Sequence, residues 1–420
     1  MKESPLLYDL FRAYYDARKH KRNTQSQLDF EFNLEENLVK LYEELRNRTY
    51  KVGNSVCFIT NVPVKREVFA AHFRDRVVHH LLHNYLSPLF ERVFIADSYS
   101  CRVGMGTLYG IKRCEHHLRA CSDNWRRPCY VLKLDIRGYF MHINRKKLYE
   151  QIMTLLEVYA NRKNPEGKYW KDVLDYDLLT YLIREIVFND PTHNCEMRGT
   201  PKEWDGLPPD KSLFHVAKGC GLPIGNLTSQ LFSNVYLNAL DQFVKRSLGE
   251  KHYGRYVDDF FIMSRDKAHL LSLIPRIRDF LWDELGLTLH PNKIALQSAY
   301  KGFAFLGAFI KPYRRYLLHK TKLRINKRMA IINRYLSESR RQVKQKELQN
   351  ISSVVNSYMG YMQHMACRRF KRSLIERNAS FQKIGNFQGE EQKFVPFLTE
   401  FILPLFPFIL VFYLFSYLFP

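Results

Sequence analysis

The sequence predicts an α+β fold whose central part combines strands and helices and whose two ends are mainly helical. Residues 50–70 alternate between apolar and polar positions as in a hairpin, whereas residues 4–20 and 33–48 have the apolar spacing of helices. From residue 130 onward, short apolar strands alternate with helical segments. Residues 320–380 are again helical and are rich in lysine and arginine.

The N-terminal helices have recognisable sequence signals. Asn33 is the predicted cap of the helix at 33–48, with Glu36 three residues later. The predicted buried face of that helix carries Leu34, Leu38, Leu41 and Leu45. A further helix is predicted at 74–90, ending near Pro88. We assign residues 1–49 to an N-terminal helical lead-in.

Composition limits the class of protein. The chain has 420 residues, of which 46% are apolar, so it can bury a sizeable core in two or three domains and is not a disordered chain. Lysine and arginine number 65 against 42 aspartates and glutamates, a net charge of +23. This excess favours a polyanionic partner, although charge bears on association and not on chemistry. An ordinary basic protein is the alternative at this stage.

Cysteines and histidines predict no metal site. The eight cysteines include no C-x-x-C pair, and no apolar signal peptide opens the chain, so we expect reduced thiols and a cytoplasmic protein. His79, His80 and His83 share one face of a predicted helix, but no second cluster with ligand spacing accompanies them. We therefore interpret them as surface histidines.

The central segment places acidic residues at the ends of predicted strands. Val131, Leu132 and Leu134 form a short apolar strand that ends at Asp135, and a helix begins near Asn144. A later hairpin holds Asp258 and Asp259 in its turn. Between them lie a polar insertion at 159–218, around one helix, and a helix at 227–248 that buries Leu231, Val235 and Leu240.

These carboxylates match the needs of phosphoryl transfer. Transfer from a nucleoside triphosphate uses two divalent cations, one at the attacking oxygen and one at the leaving phosphates. Magnesium takes hard oxygen ligands, so carboxylates must converge. Asp135 and the Asp258-Asp259 pair can converge if their strands are neighbours.

The motifs around these aspartates resemble those of reverse transcriptases. Tyr256-Val257-Asp258-Asp259 is the Y-x-D-D signature of that family, which is weak evidence by itself. Other blocks occur in the order typical of the family: Arg66-Glu67, Phe73-Arg74-Asp75-Arg76, Ser98-Tyr99-Ser100-Cys101-Arg102, Asp135-Ile136-Arg137-Gly138-Tyr139-Phe140, Gly221-Leu222-Pro223-Ile224-Gly225, Asn292-Lys293, and Gly302-Phe303-Ala304-Phe305-Leu306-Gly307. The resemblance covers residues 50–375.

The resemblance implies a right-hand polymerase fold, with fingers and palm formed by an antiparallel sheet flanked by helices, followed by a helical thumb. We assign the fingers and palm to residues 50–310, the basic thumb to 311–385 and an apolar tail to 386–420. No ribonuclease H, integrase or endonuclease domain fits in the remaining residues.

The resemblance also implies the site. Asp135 and Asp258 would ligate two Mg²⁺ ions, with Mn²⁺ as a substitute, while Asp259 supports them and the Ile136 carbonyl completes one coordination shell. The implied nucleotide-binding residues are Lys65, Arg66, Arg74, Arg137, Gly138, Tyr139, Phe140, Ile224, Gly225 and Lys293. The implied primer and template contacts are Tyr256, Val257, Gly302, Phe303, Phe305, Leu306 and Gly307.

Two of these residues have expected individual roles. The Phe140 ring would lie under the sugar and would collide with a 2′-hydroxyl, which selects deoxynucleotides by shape. A core phenylalanine is the alternative. Lys293 would protonate the leaving pyrophosphate, with a surface lysine as the alternative.

The block Gly221-Leu222-Pro223-Ile224-Gly225, which we call the Leu-Pro block, indicates a subclass of the family. Retroviral and group II intron enzymes carry Gln where this chain has Ile224, and the segment ending in Ser229-Gln230 resembles enzymes of diversity-generating retroelements. The insertion and Ser357-Tyr358-Met359-Gly360 with His364 resemble the same subclass.

Such enzymes copy a template-repeat RNA into cDNA inaccurately at adenines. The implied partners are the template RNA, the cDNA primer, deoxynucleotides and a small basic accessory protein. A retron or phage-defence reverse transcriptase is the alternative function, and a catalytically inactive RNA-binding scaffold is the alternative from another class.

The C-terminal tail differs from the rest of the chain. Residues 401–420 carry no charge, and this uncharged stretch is long enough to span a bilayer. Pro404 and Pro407, however, would break a helix near its start. Two interpretations stay open, a membrane anchor that keeps the catalytic body in the cytoplasm and a dispensable extension.

Overall fold

The computed structural model describes residues 5–19, 24–61, 64–339, 343–390 and 392–397. By their internal contacts these residues divide into two compact units, Met1–Ala299 and Tyr300–Pro420. The predicted α+β class is confirmed, because antiparallel sheets and helices occur in both units. The unit boundary falls before the strands at 303–311, whereas the sequence placed it at 310.

Regular elements of the first unit follow in chain order. Its helices are α1 (Pro5–Arg18), α2 (Gln25–Phe32), α3 (Leu34–Arg46), α4 (Phe73–Phe90), α5 (Thr107–Cys121), α6 (Tyr139–His142), α7 (Arg145–Ala160), α8 (Trp170–Val173), α9 (Tyr176–Phe188), α10 (Leu227–Gln242) and α11 (Lys267–Leu285). Its strands are β1 (Ser55–Thr60), β2 (Arg66–Ala71), β3 (Tyr130–Asp135), β4 (Glu196–Met197), β5 (Tyr253–Tyr256), β6 (Asp259–Ser264) and β7 (Ala295–Ser298).

Most of the predicted helices and strands are confirmed. The hairpin at 50–70 is β1 and β2, and the buried face of α3 carries Leu38, Leu41 and Leu45. Asn33 precedes α3, but its side chain accepts no capping hydrogen bond; its main-chain carbonyl accepts from Asn37 N at 2.9 Å. The sequence did not predict α2, because that helix buries only Gln27 and Phe30 and so has no apolar stripe.

Two predictions need correction, one about the insertion and one about the histidines. The insertion at 159–218 holds α8 and α9 and also β4, which pairs in parallel with β1, so it is more than one helix. His79 is buried, and its Nδ1 lies 2.8 Å from Thr228 Oγ1, so it is not a surface histidine. Burial lowers the pKa of His79 to about 3. All eight cysteines are free.

The core of the first unit lies against a four-stranded antiparallel sheet with the order β5-β6-β3-β7. The central strands are almost wholly apolar: Val131, Leu132 and Leu134 of β3 and Phe260 to Met263 of β6 are buried. Helices α4, α7 and α10 pack together in the same core. The two strands pair from Tyr130 opposite Ser264 to Asp135 opposite Asp259.

The second unit begins with a small antiparallel sheet, followed by helices and a hairpin. Its elements are β8 (Phe303–Phe305), β9 (Ala308–Lys311), β10 (Arg314–Leu317), α12 (His319–Glu338), α13 (Gln345–Gln363), α14 (Arg368–Glu376), β11 (Gly385–Gln388) and β12 (Lys393–Pro396). The predicted basic residues Arg340 and Arg341 lie outside the described residues.

The start of the predicted tail belongs to this unit. Phe394 lies in β12 and is buried, and its main chain forms two hydrogen bonds of 2.8 Å with the Asn356 side chain. Residues 398–420, which contain the candidate anchor, lie outside the described residues. Within the described ranges, no helix is both long enough and apolar enough to cross a membrane.

Candidate active site

The sheet brings the predicted acidic residues together. Asp135 is the last residue of β3 and lies directly opposite Asp259, the first residue of β6. Asp258 stands in the turn between β5 and β6, and its main-chain carbonyl accepts from Ile136 N at 3.2 Å. Val257 enters this turn with φ of +57°, a left-handed conformation that lets the two strands reverse within two residues. The three carboxylates therefore lie at the same end of the neighbouring strands β3 and β6.

Burial and mutual repulsion act on these carboxyls. Burial, followed by the charge of Asp135, raises the pKa of Asp258 to about 6. Burial also raises the pKa of Asp259, while nearby Lys133 opposes that shift. The charge of nearby Lys293 opposes the shift of Asp258 only in part.

Two lysines supply cationic partners to the other aspartates. Lys293 lies in the turn that precedes β7, and its Nζ donates to Asp135 Oδ1 at 2.8 Å. Lys133 Nζ lies 3.3 Å from Asp259 Oδ1. Lys293 therefore stands at the predicted centre, within reach of any group held by Asp135.

The three aspartates offer carboxylate oxygens to a metal ion. Across the described ranges, no three His, Cys, Asp or Glu side chains form a ready metal cluster. The chemistry of the donors nevertheless fits a hard divalent cation, since carboxylate oxygens are the ligands that magnesium prefers. The raised pKa of Asp258 points the same way, because a nearby cation would offset both the burial and the Asp135 charge that raise it.

A buried ion pair stabilises the hairpin of β5 and β6, which we call the acidic hairpin. Arg255 of β5 donates to both carboxylate oxygens of Asp241 on α10, at 2.7 and 2.6 Å. The same guanidinium donates to the Val257 carbonyl at 3.0 Å and to Ser98 Oγ at 3.0 Å. Arg255 thereby connects α10 to the residue that precedes Asp258.

Sequence reasoning did not identify Asp241 as part of this network. Its signal was weak: an aspartate directly after Leu240 in a helix of otherwise apolar and uncharged residues.

Residues after Asp135 form a sharp turn. Gly138 has φ of +53°, and an added Cβ would lie 2.7 Å from the Asp210 carbonyl, so only glycine fits here. Arg137 Nε donates to Asp210 Oδ2 at 2.9 Å. Tyr139 is buried with its hydroxyl on the Ser233 carbonyl, so its ring supports the turn from the core side.

Phe140 and Ile224 lie in one small apolar cluster. Both are half-buried and pack against the buried residues Phe69, Met141 and Leu213. The Ile224 carbonyl accepts from Phe69 N at 2.8 Å, which ties it to β2. An added Cβ at Gly225, with φ of +129°, would lie 2.8 Å from the Phe69 carbonyl. Phe140 and Ile224, both predicted to bind the incoming nucleotide, thus pack against the same cluster.

The predicted cations of the fingers differ in their surroundings. Lys65 Nζ donates to the Asp205 carbonyl at 2.7 Å, and Arg66 is exposed at the start of β2. Arg74 instead forms ion pairs with Glu44 and Asp75, and its guanidinium lies 4.7 Å from the Tyr50 ring centre. These contacts favour a structural role for Arg74.

The predicted primer and template residues fall into two groups. Tyr256 and Val257 lie in and beside the acidic hairpin. The others lie in the second unit, where Phe303 and Phe305 are buried in β8. Leu306 and Gly307 form the turn to β9 with positive φ, and an added Cβ at Gly307 would lie 2.8 Å from Tyr361 Oη. Gly302 also has positive φ, and an added Cβ there would lie 2.6 Å from a Lys311 side-chain carbon.

Known proteins similar to this chain give a consistent family assignment. The family model described as reverse transcriptase (RNA-dependent DNA polymerase) matches residues 65–310. Protein YkfC of Escherichia coli (strain K12) is 23% identical over 266 residues, which cover 56% of this chain and 60% of that protein. The chain therefore spans less than two thirds of this curated relative.

Solved structures with a similar arrangement include two yeast telomerases. Apo telomerase from Candida tropicalis, truncated from the C-terminal domain, gives a TM-score of 0.44 at 12% identity over 63% of this chain and 55% of that one. Telomerase from Candida albicans in complex with the TWJ fragment of telomeric RNA gives 0.45 at 10% identity, over 83% and 60%. The family match extends over more than half of the 420 residues, and the chain belongs to the reverse transcriptase family.

Proposed function

We propose that the chain is an RNA-directed DNA polymerase that joins deoxynucleotides to a primer by two-metal nucleotidyl transfer. The observation that carries this proposal is the placement of Asp135 opposite Asp259, with Asp258 in the adjoining turn. Asp135 and Asp258 would hold two Mg²⁺ or Mn²⁺ ions, with Asp259 and the Ile136 carbonyl as further oxygen donors. Bound ions would activate the primer hydroxyl and neutralise the leaving pyrophosphate.

The protein side chains have distinct tasks in this reaction. Lys65, Arg66 and Arg137 would bind the triphosphate, and the Phe140 ring would exclude a 2′-hydroxyl by contact. Lys293, held 2.8 Å from Asp135, would donate a proton to the pyrophosphate oxygen as its bond to the α-phosphorus breaks. Its pairing with Asp135 supports this role, because the ammonium is already at the reacting centre.

The two units would divide the work as a right hand. The first unit would supply fingers and palm, and the basic helices α12 and α14 of the second would act as a thumb that contacts the nucleic-acid backbone. The turn at Leu306-Gly307 would support the primer end. Template RNA, cDNA primer and deoxynucleotides are the partners that this division requires.

Primer extension tests the activity directly. The purified full-length chain, a DNA primer annealed to an RNA template, deoxynucleotides and Mg²⁺ should yield extended primer. Asp258→Asn should lower the rate by about 10³-fold or more, since it removes a transition-state interaction worth about 4 kcal/mol or more. Lys171→Gln, on exposed α8, is the matched control and should leave the rate unchanged. Full activity of Asp258→Asn would refute the proposal, as would an inactive wild-type chain, which would favour an RNA-binding scaffold.

We further propose that the enzyme serves a diversity-generating retroelement, copying a template-repeat RNA with errors at adenines. Ile224 supports this, because a branched aliphatic side chain in the half-buried cluster beside Phe140 cannot hydrogen-bond a nucleotide. A small basic accessory protein would assist, and the site of action would be the cytoplasm.

The alternative is a retron or phage-defence enzyme with the same chemistry on another RNA. Sequencing RNA that copurifies with the chain, together with its cDNA, separates the two. A template repeat paired with cDNA altered at adenines supports the first, and a structured RNA copied faithfully supports the second.

A further inference from the structure

Part of the insertion is attached to the fingers at several points. The insertion arm, which we define as Thr200–His215, follows β4, whose Glu196 and Met197 pair with Val56 and Cys57 of β1. The buried Glu67 carboxylate of β2 accepts three hydrogen bonds from the arm. The donors are Trp204 Nε1 at 2.8 Å, Ser212 Oγ at 2.9 Å and Leu213 N at 2.6 Å. A buried carboxylate with three donors fixes the arm against β2.

The arm also builds the apolar cluster that holds Phe140 and Ile224. Leu213 is one of its buried members, and Trp204 packs on its edge. An added Cβ at Gly221, with φ of +92°, would lie 2.6 Å from Leu213 Cδ1, so the Leu-Pro block and the arm are in close contact. Two of the residues proposed to bind the nucleotide, Phe140 and Ile224, therefore pack partly against the insertion.

Cations assigned to the triphosphate take their partners from the same arm. Lys65 Nζ donates to the Asp205 carbonyl at 2.7 Å, and Arg137 Nε donates to the Asp210 carboxylate at 2.9 Å. The Arg137 side chain is 54% exposed, so solvent and ligands can reach it. Arg137 in turn lowers the pKa of Asp210, which keeps that carboxylate charged.

We propose that the insertion arm is a wall of the nucleotide site and that Asp210 is a positioning residue that competes with the incoming triphosphate for Arg137. This inference rests on the proposed function, because it takes Arg137 to be a triphosphate ligand. Asp210 holds the guanidinium beside the Gly138 turn in the free enzyme. A triphosphate must displace the carboxylate or bind against its charge, so Asp210 raises the KM for every deoxynucleotide.

The sign of the effect follows from the chemistry of the pair. Asn at position 210 keeps an oxygen that accepts from Arg137 and removes the negative charge. Asp210→Asn should therefore lower the KM for dNTP by about threefold to tenfold with little change in kcat, as expected for a partly exposed charge. Asp172→Asn is the matched control, because it makes the same change at an exposed carboxylate of α8, outside the arm. It should change the KM by less than about twofold.

Steady-state primer extension on the RNA template, with dNTP varied, measures these values. Arg137→Gln should raise the KM by about tenfold, and adding Asp210→Asn to it should give no further change, because the effect passes through Arg137. An unchanged or raised KM in Asp210→Asn would overturn the proposal, as would an equal decrease in Asp172→Asn. An inactive wild-type chain would instead refute the proposed function, so the two failures are distinguishable.

Discussion

The guanidinium of Arg255 and the carboxylate of Asp241 form a two-bond ion pair whose side chains are both fully buried. Tyr253 Oη donates to the same carboxylate at 2.6 Å, and the remaining Arg255 donors reach Ser98 and the Val257 carbonyl. Burial of a charge pair is costly unless every donor and acceptor is used. This pair meets that requirement, and its arginine contacts the turn that carries Asp258 through the Val257 carbonyl.

Removing one partner of this pair should destabilise the fold. Arg255→Met leaves the Asp241 charge buried without its partner and should lower the free energy of unfolding by about 3–5 kcal/mol. Arg255→Met/Asp241→Leu removes both charges and should recover much of that loss. Urea unfolding followed by circular dichroism measures both variants. Equal losses in the single and double variants would show that the pair does not act as a unit.

Much of the site could be predicted because its residues follow strong local patterns. Asp135 ends an apolar strand and Asp258-Asp259 occupy a short hairpin, and the need to bury β3 and β6 aligns the two. Partners distant in the chain could not be predicted. Asp241 looks like any polar helix residue until Arg255 is placed beside it, and β4 is a two-residue strand whose pairing with β1 depends on the whole insertion.

The division of the chain shows the same limit. Residues 302–307 form one of the motifs of the family and were assigned, within residues 50–310, to the fingers and palm. In the structure Phe303 and Phe305 are buried among the contacts of the second unit, in the sheet formed with β9 and β10. The family motif therefore identified these residues, while their place in the second unit depends on tertiary contacts.

Sugar selection should depend on the Phe140 ring. Phe140→Ala opens space in the half-buried cluster shared with Ile224. The preference for dNTP over rNTP, measured as a ratio of kcat/KM, should fall by about 10-fold to 200-fold, the range that shape discrimination supplies. Phe188→Ala, at an exposed position on α9, is the control. An unchanged ratio would identify Phe140 as a packing residue only.

Fidelity should respond to the side chain at position 224. Ile224→Gln adds a hydrogen-bonding amide where the main-chain contact to Phe69 N is unaffected. Misincorporation opposite template adenine should decrease in a primer-extension assay with single dNTPs. Ile224→Val, which keeps a branched aliphatic side chain, should retain the wild-type error spectrum. Identical spectra for all three proteins would contradict a role for this side chain in accuracy.

Nucleic-acid affinity should depend steeply on salt through the second unit. Lys327 and Arg328 are exposed on α12. Replacing both with Gln should reduce the slope of log K against log salt by about 1.4–1.8, because each phosphate contact contributes about 0.7–0.9. Fluorescence anisotropy with a labelled RNA–DNA hybrid measures the slope. Lys146→Gln on α7 should leave it unchanged, and a flat dependence for the wild-type chain would exclude this surface.

The Asp258 carboxyl should make stability depend on pH and on magnesium. Its pKa in the folded chain is about 6 against an ordinary value of 3.8, so between these values the folded state binds more protons than the unfolded state. The free energy of unfolding without metal should therefore fall as pH rises from 4 to 6, by on the order of 1–3 kcal/mol, and the Asp258 contribution should be constant above 6. Asp258→Asn should lack this component, so the difference between the two proteins isolates it.

At pH 8, Mg²⁺ should raise the unfolding midpoint of the wild-type chain more than that of Asp258→Asn, because the cation relieves the repulsion between Asp258 and Asp135. Parallel pH profiles and equal responses to Mg²⁺ would mean that this carboxyl is neither strained by its neighbours nor a metal ligand.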